Sequence, residues 1–131
     1  MDEKLELVKN LKIILSKYLR HNNKMDELLE DISHQFDIFS IEMQEDGNIY
    51  LRVKKTSIKK GCDLYLYYLT NICGALLNFI RKNYEDICRF CLPLAPWKNW
   101  EGMVSRFRDE DMQPFLFNVF ILSENVAVIS L

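Results

Sequence analysis

The sequence predicts an α+β domain in which helices pack on one face of a mainly antiparallel sheet. Three observations point there: apolar residues at helical spacing over the first 35 positions, a switch to strict alternation between 39 and 54, and a turn signal inside the apolar C-terminal run. The expected order is two N-terminal helices or one long arm, a three-strand antiparallel meander, two helices and a C-terminal β-hairpin. Residues 1–35 then form an amphipathic helical arm and 36–131 a compact α+β domain, together one structural unit.

No Gly or Pro precedes Gly47, and Leu7, Leu11, Ile14 and Tyr18, then Met25, Leu28 and Ile32, keep a 4-3-4 spacing. A first helix over about 2 to 20 follows from it. The stripe can continue through His21 as a heptad seam, which gives one rod. It can also break at His21-Asn22-Asn23, because Asn tolerates the left-handed conformation and Asn23 can cap a second helix over about 24 to 35. Two helices are the preferred reading.

Phe39, Ile41 and Met43 then alternate with polar residues, as do Ile49, Leu51 and Val53. This is a hairpin with one wet face. A three-residue loop at Asp46-Gly47-Asn48 sets Met43 opposite Leu51 and Ile41 opposite Val53. Leu64 to Leu69 is rich in tyrosine and reads as a third strand, with the first turns of a helix as the alternative. From Asn71 the spacing is helical, with Ile72, Cys73, Leu76, Ile80, Ile87, Cys88 and Cys91 on one stripe until Pro93 ends it. A short amphipathic helix is expected over about 98 to 108. Phe115 to Leu122 is apolar on both faces apart from Asn118, the pattern of a central, doubly covered strand. A second three-residue loop at Ser123-Glu124-Asn125 brings Asn118 opposite Ser130 and Phe120 opposite Val128.

The 131 residues are the size of one domain, and 49% hydrophobic with 27% charged residues is a globular balance. A net charge of −2 argues against nucleic acid as the main partner, which normally imposes a basic excess. The start Met1-Asp2-Glu3-Lys4 has no unbroken apolar stretch after it, and no run reaches the ~18 apolar residues of a membrane span. An intracellular protein of cytoplasm or nucleus, not secreted and without a membrane partner, is the expectation. Its four cysteines then read as reduced thiols.

Cys88-Arg89-Phe90-Cys91 is the one CxxC, a pattern used in redox motifs and half zinc sites. It falls in the last turn before Pro93, where the helix dipole opposes a thiolate, and Cys62, Cys73, His21 and His34 supply no second close pair of ligands. Buried structural cysteines are the expectation, with zinc and redox roles as alternatives. Arg52, Lys54, Lys55, Lys59 and Lys60, near Tyr50, Tyr65 and Tyr67, form a basic cluster of the kind that binds single-stranded nucleic acid. A solvated face is the plainer reading. Asp109-Glu110-Asp111 lacks the alternation of a calcium loop and reads as a solvated turn. No phosphate-binding, zincin or nucleophile-elbow pattern occurs. Catalytic, metal and cofactor residues are therefore expected to be none.

The expected function is a non-enzymatic protein–protein interaction module, a dimer or a subunit of a larger complex. Leu7, Leu11, Ile14 and Tyr18 are the candidate interface stripe, and Trp97 and Trp100, on a proline-braced link, the candidate anchors. A lid over the core is the alternative role for the tryptophans. A pathogen effector that binds a host protein and a nucleic-acid binder using residues 52–60 are the competing readings. An amphipathic arm before a small meander-plus-helix head is similar in outline to RWD-type subunits of chromosome-segregation complexes, a likeness of architecture that involves no motif.

Overall fold

The computed structural model describes residues 3–91, 100–116 and 118–131. It is an α+β fold with helices against one face of a four-stranded antiparallel sheet of order β1-β2-β4-β3. In chain order the elements are α1 (Glu3–His21), α2 (Met25–Ser33), β1 (Ile38–Met43), β2 (Ile49–Val53), α3 (Leu64–Lys82), α4 (Tyr84–Cys91), α5 (Trp100–Ser105), a 3-10 helix (Asp109–Phe115), β3 (Asn118–Ser123) and β4 (Val126–Ser130). A single 3-10 turn, Lys55–Ser57, lies between β2 and α3. No helix among the described residues is long and apolar enough to cross a membrane.

The arm is two helices. Glu3 and Glu6 in the first turn of α1 and Arg20 and His21 in its last complement the helix dipole. The stop comes at Asn23, which takes φ 52°, while the Lys24 N–H donates back to the Leu19 carbonyl at 3.0 Å. Asn23 thus ends α1 rather than capping α2, whose N-cap position is held by Lys24 without a side-chain hydrogen bond. The buried side chains of α1 lie in the same continuous core as those of α3 and the sheet. Lys82, at the end of α3, ties down α2 through Asp31 at 2.6 Å and Glu27 at 3.7 Å.

The first hairpin forms with its turn displaced by one position. Glu45-Asp46-Gly47 is the loop, closed by the Gln44 N–H to the Asn48 carbonyl and the Gly47 N–H to the Gln44 carbonyl, each at 2.9 Å. Gly47 takes φ 82° and therefore occupies the third loop position, where the left-handed residue of such a loop belongs. The register moves by two as a result: Met43 faces Ile49 and Ile41 faces Leu51. An even shift preserves the face of every side chain. A bulge between Ile38 and Ser40 then puts Ile38, not Ile41, opposite Val53 and leaves Phe39 outside, with 70% of its surface exposed.

Leu64 to Leu69 adds no third strand to the hairpin, which removes the meander on which the outline likeness to RWD-type subunits rested. Leu64 to Leu69 opens α3, because Asp63 caps it: its carboxylate accepts from the Leu66 N–H at 3.1 Å. Tyr68, Leu69, Ile72, Cys73 and Leu76 then line one buried face. The expected single helix from Asn71 to Pro93 divides at Asn83 into α3 and α4. The Asn83 side-chain amide donates to the Phe79 carbonyl at 3.0 Å and its oxygen accepts from the Tyr18 hydroxyl at 3.5 Å.

Phe115 and Leu116 belong to the 3-10 helix and its exit, and β3 begins at Asn118. Its pairing with β4 has the expected register, Asn118 to Ser130 and Phe120 to Val128. A bulge between Ile121 and Ser123 leaves the two-residue turn Glu124-Asn125 in place of the expected three-residue loop. That turn is fastened twice. The Val53 N–H donates to the Asn125 carbonyl at 2.9 Å, and the Tyr68 hydroxyl donates to the Glu124 carbonyl at 3.0 Å. The sheet order corrects one expectation directly: β3 is an edge strand, not a central one.

Candidate interaction surface

The candidate interface stripe of α1 is turned inward. Leu7, Leu11, Ile14 and Tyr18 are all buried in the core, where they pack with Val8, Leu15 and Leu19 of the same helix. The Tyr18 ring meets Phe90 of α4 edge-on at 5.8 Å. Trp97 and the side chains of Trp100 and Cys91 lie outside the described residues. His21 and His34 are exposed; His21 Nδ1 sits 2.8 Å from the Lys17 carbonyl, and His34 Nε2 3.8 Å from Glu30.

Cys73 is buried on α3 and lines a cleft of about 340 Å³ with Leu66, Thr70, Arg108, Asp109, Glu110 and Gln113. Desolvation, reinforced by Asp109, pushes its thiol up to about 12, so the sulfur stays protonated and non-nucleophilic at neutral pH. Asp111 closes the start of the 3-10 helix, accepting from the Arg108 N–H at 2.7 Å and pairing with Lys4 at 3.5 Å. Among the described residues no three His, Cys, Asp or Glu side chains converge as metal ligands would.

Two residues of the basic cluster have contacts of their own. Lys54 pairs with Asp37 at 3.5 Å, and the Arg52 guanidinium lies 6.0 Å from the Phe39 ring centre. Lys55, Lys59 and Lys60 are exposed around the turn that follows β2. Of the tyrosines near them Tyr65 is exposed, and the other two have partners. Tyr50 donates to Asp46 at 3.2 Å, and Tyr67 packs edge-on against Phe36 at 5.5 Å.

The surface that stands out is the sheet face turned away from the helices. Its residues follow from the register: Glu42, Tyr50, Val128 and Phe120 form one row across the strands, and Ser40, Arg52, Val126 and Ser123 the next. Charge is confined to the β1 and β2 half, as Glu42 and Arg52. The β4 and β3 half is uncharged, with the apolar Val126, Val128 and Phe120 flanked by the polar Asn118, Ser130 and Ser123, and Val128 is buried there between its neighbours Tyr50 and Phe120. Phe120 keeps 53% of its surface exposed and Leu122, in the bulge, 62%. This uncharged half runs out to the edge of β3, and among the described residues no strand pairs with that edge. Contiguous apolar surface of this kind marks sites of association.

The two edges are built differently. β1 carries Glu42, is kinked by the bulge at Phe39 and is closed at its start by Asp37, whose carbonyl accepts from the Lys54 N–H at 2.9 Å. β3, Asn118-Val119-Phe120-Ile121-Leu122-Ser123, has no charge and no proline, and its bulge comes only at the end. Charges, proline and bulges are how sheet edges are protected from pairing. The sequence signal for this surface was present in the apolar run 115–122, where it took the form of a strand covered on both faces. No family model, curated protein or solved structure matches this chain.

Proposed function

We propose that this chain is a non-enzymatic protein–protein interaction module that associates with a second copy of itself through the edge of β3. The observation that supports the reading is the uncharged six-residue edge strand with Phe120 and Leu122 exposed on its outer side. Antiparallel pairing of β3 with its two-fold mate satisfies backbone groups on both strands and makes the two uncharged half-faces one surface. A strand without charge meets its own copy without repulsion, whereas two β1 edges would bring Glu42 toward Glu42. An interface of one strand and a few side chains is small, so a weak dimer with Kd of about micromolar order is expected.

Sedimentation over a wide concentration range tests it. The wild-type chain shifts from monomer to dimer, and Phe120→Lys with Leu122→Lys keeps it monomeric while circular dichroism and melting temperature hold. A wild-type monomer at every concentration, or a dimer that survives the double substitution, defeats the reading.

A further inference from the structure

The outer side of α1 carries a second surface, unrelated to β3. Lys9, Lys12, Ile13, Ser16, Lys17 and Arg20, with Pro114 of the 3-10 helix, line a mostly apolar groove of about 530 Å³. Two rows run along it at a spacing of four, Lys9-Ile13-Lys17 and Lys12-Ser16-Arg20, each with a cation at both ends and a small or apolar residue between. Ile13 is 58% exposed at the centre. Ser16 turns its hydroxyl back onto the Lys12 carbonyl at 2.9 Å, so the middle of the groove is already hydrogen-bonded. The Arg20 Nε–H donates to the Ser16 carbonyl at 3.3 Å, which holds the guanidinium at the groove's end.

No carboxylate belongs to this lining among the described residues, in a chain with more acidic than basic side chains. Elsewhere Lys24, Lys54, Lys82, Arg89 and Arg108 are each in an ion pair, whereas Lys55, Lys59 and Lys60 form none among the described residues. Lys9, Lys17 and Arg20 form none among the described residues.

We infer that the α1 groove docks an acidic amphipathic segment of a partner protein, its apolar side chain seated on Ile13 and Pro114 and its carboxylates at the Lys9/Lys12 and Lys17/Arg20 ends. Those ends are about 12 Å apart along the helix, the span between carboxylates eight residues apart on a partner helix with an apolar residue midway. A lipid surface asks instead for a broad apolar face with aromatic anchors, and single-stranded nucleic acid for aromatic rings to stack on. Neither is present among the described lining residues.

The test uses a synthetic helical peptide with Glu, Leu and Glu at successive spacings of four, titrated into the full chain and followed by fluorescence anisotropy and by NMR shifts. Expected are saturable binding, shifts confined to residues 9–20 and 114, and affinity about tenfold weaker as salt rises from about 0.05 M to about 0.5 M. Lys9→Glu with Lys17→Glu abolishes binding, and a peptide with Lys in place of Glu restores it; Ile13→Gln weakens it while charge is unchanged. Phe120→Lys leaves it intact, which separates this groove from the β3 edge. Absence of saturable binding at low salt, binding indifferent to the double substitution, or tighter binding at residues 9–20 of phosphatidylserine vesicles or of a single-stranded oligonucleotide overturns the inference.

Discussion

The two faces of the sheet are made by the same strands and have opposite fates. The inner face, Ile49, Leu51 and Val53 of β2 with Ala127 and Ile129 of β4, is sealed beneath the helices. The outer face, one residue along each strand, carries charge on its β1 and β2 half and none on the other, and that uncharged half is open at β3 among the described residues. The comparison teaches that hydrophobicity here serves two ends, closing the core on one side and staying available on the other. Substitutions of equal chemistry should therefore cost very different amounts on the two sides.

The largest effect is expected on the inner face. Leu51→Ala deletes a fully buried side chain and should lower stability by about 3 kcal/mol in urea unfolding. Next comes the link that holds the helical layer together. Lys82→Met strands the Asp31 carboxylate, whose side chain is 7% exposed, at a cost of about 2 kcal/mol at neutral pH once the partial exposure of the lysine is discounted. Its hydrogen bond to Asp31 raises the Lys82 pKa above 10.5. The stability from that pair is complete below the lysine's unfolded value and fades as pH rises through the raised one, so the wild type should lose its advantage over the variant in alkali.

Smaller again is Tyr68→Phe, which removes the hydroxyl tether from α3 to the β3–β4 turn and should cost about 1 kcal/mol at neutral pH. Burial pushes the Tyr68 hydroxyl from 10.0 up to about 12. Between those values the unfolded chain ionises first, so the wild type should weaken with rising pH across that window by more than the phenylalanine variant does. The smallest stability change belongs to the outer face: Leu122→Lys should move unfolding by less than about 0.5 kcal/mol yet weaken association. A Leu122→Lys penalty as large as that of Leu51→Ala would erase the distinction between the faces.

Much of the fold was legible because several signals are local. The helical spacing of α1 and α2, the αL tolerance of Asn23 and the period-two pattern of the first hairpin each follow from nearby residues, and the β3–β4 register follows from the turn residues at 123–125. The first hairpin was misplaced by two because Gly47 decides the loop, yet the faces came out right, apart from Phe39 at the bulge. The meander failed where tyrosine-rich β propensity outweighed one capping aspartate, Asp63. The site was hardly legible at all. Leu7, Leu11, Ile14 and Tyr18 have the spacing of any buried helical stripe, and spacing does not say whether the cover is the chain's own core or another molecule. In the same way, Phe120 and Leu122 looked like the second covered face of a central strand.

The unequal edges also bear on how far association can run. Joining two chains at β3 consumes the open edge of both, and what remains outward at either end is β1, bent at Phe39 and carrying Glu42. In the proposed pairing growth halts at a closed pair, because the rims left outward carry charge and a bulge, the features that protect a sheet edge from further addition and fibril growth.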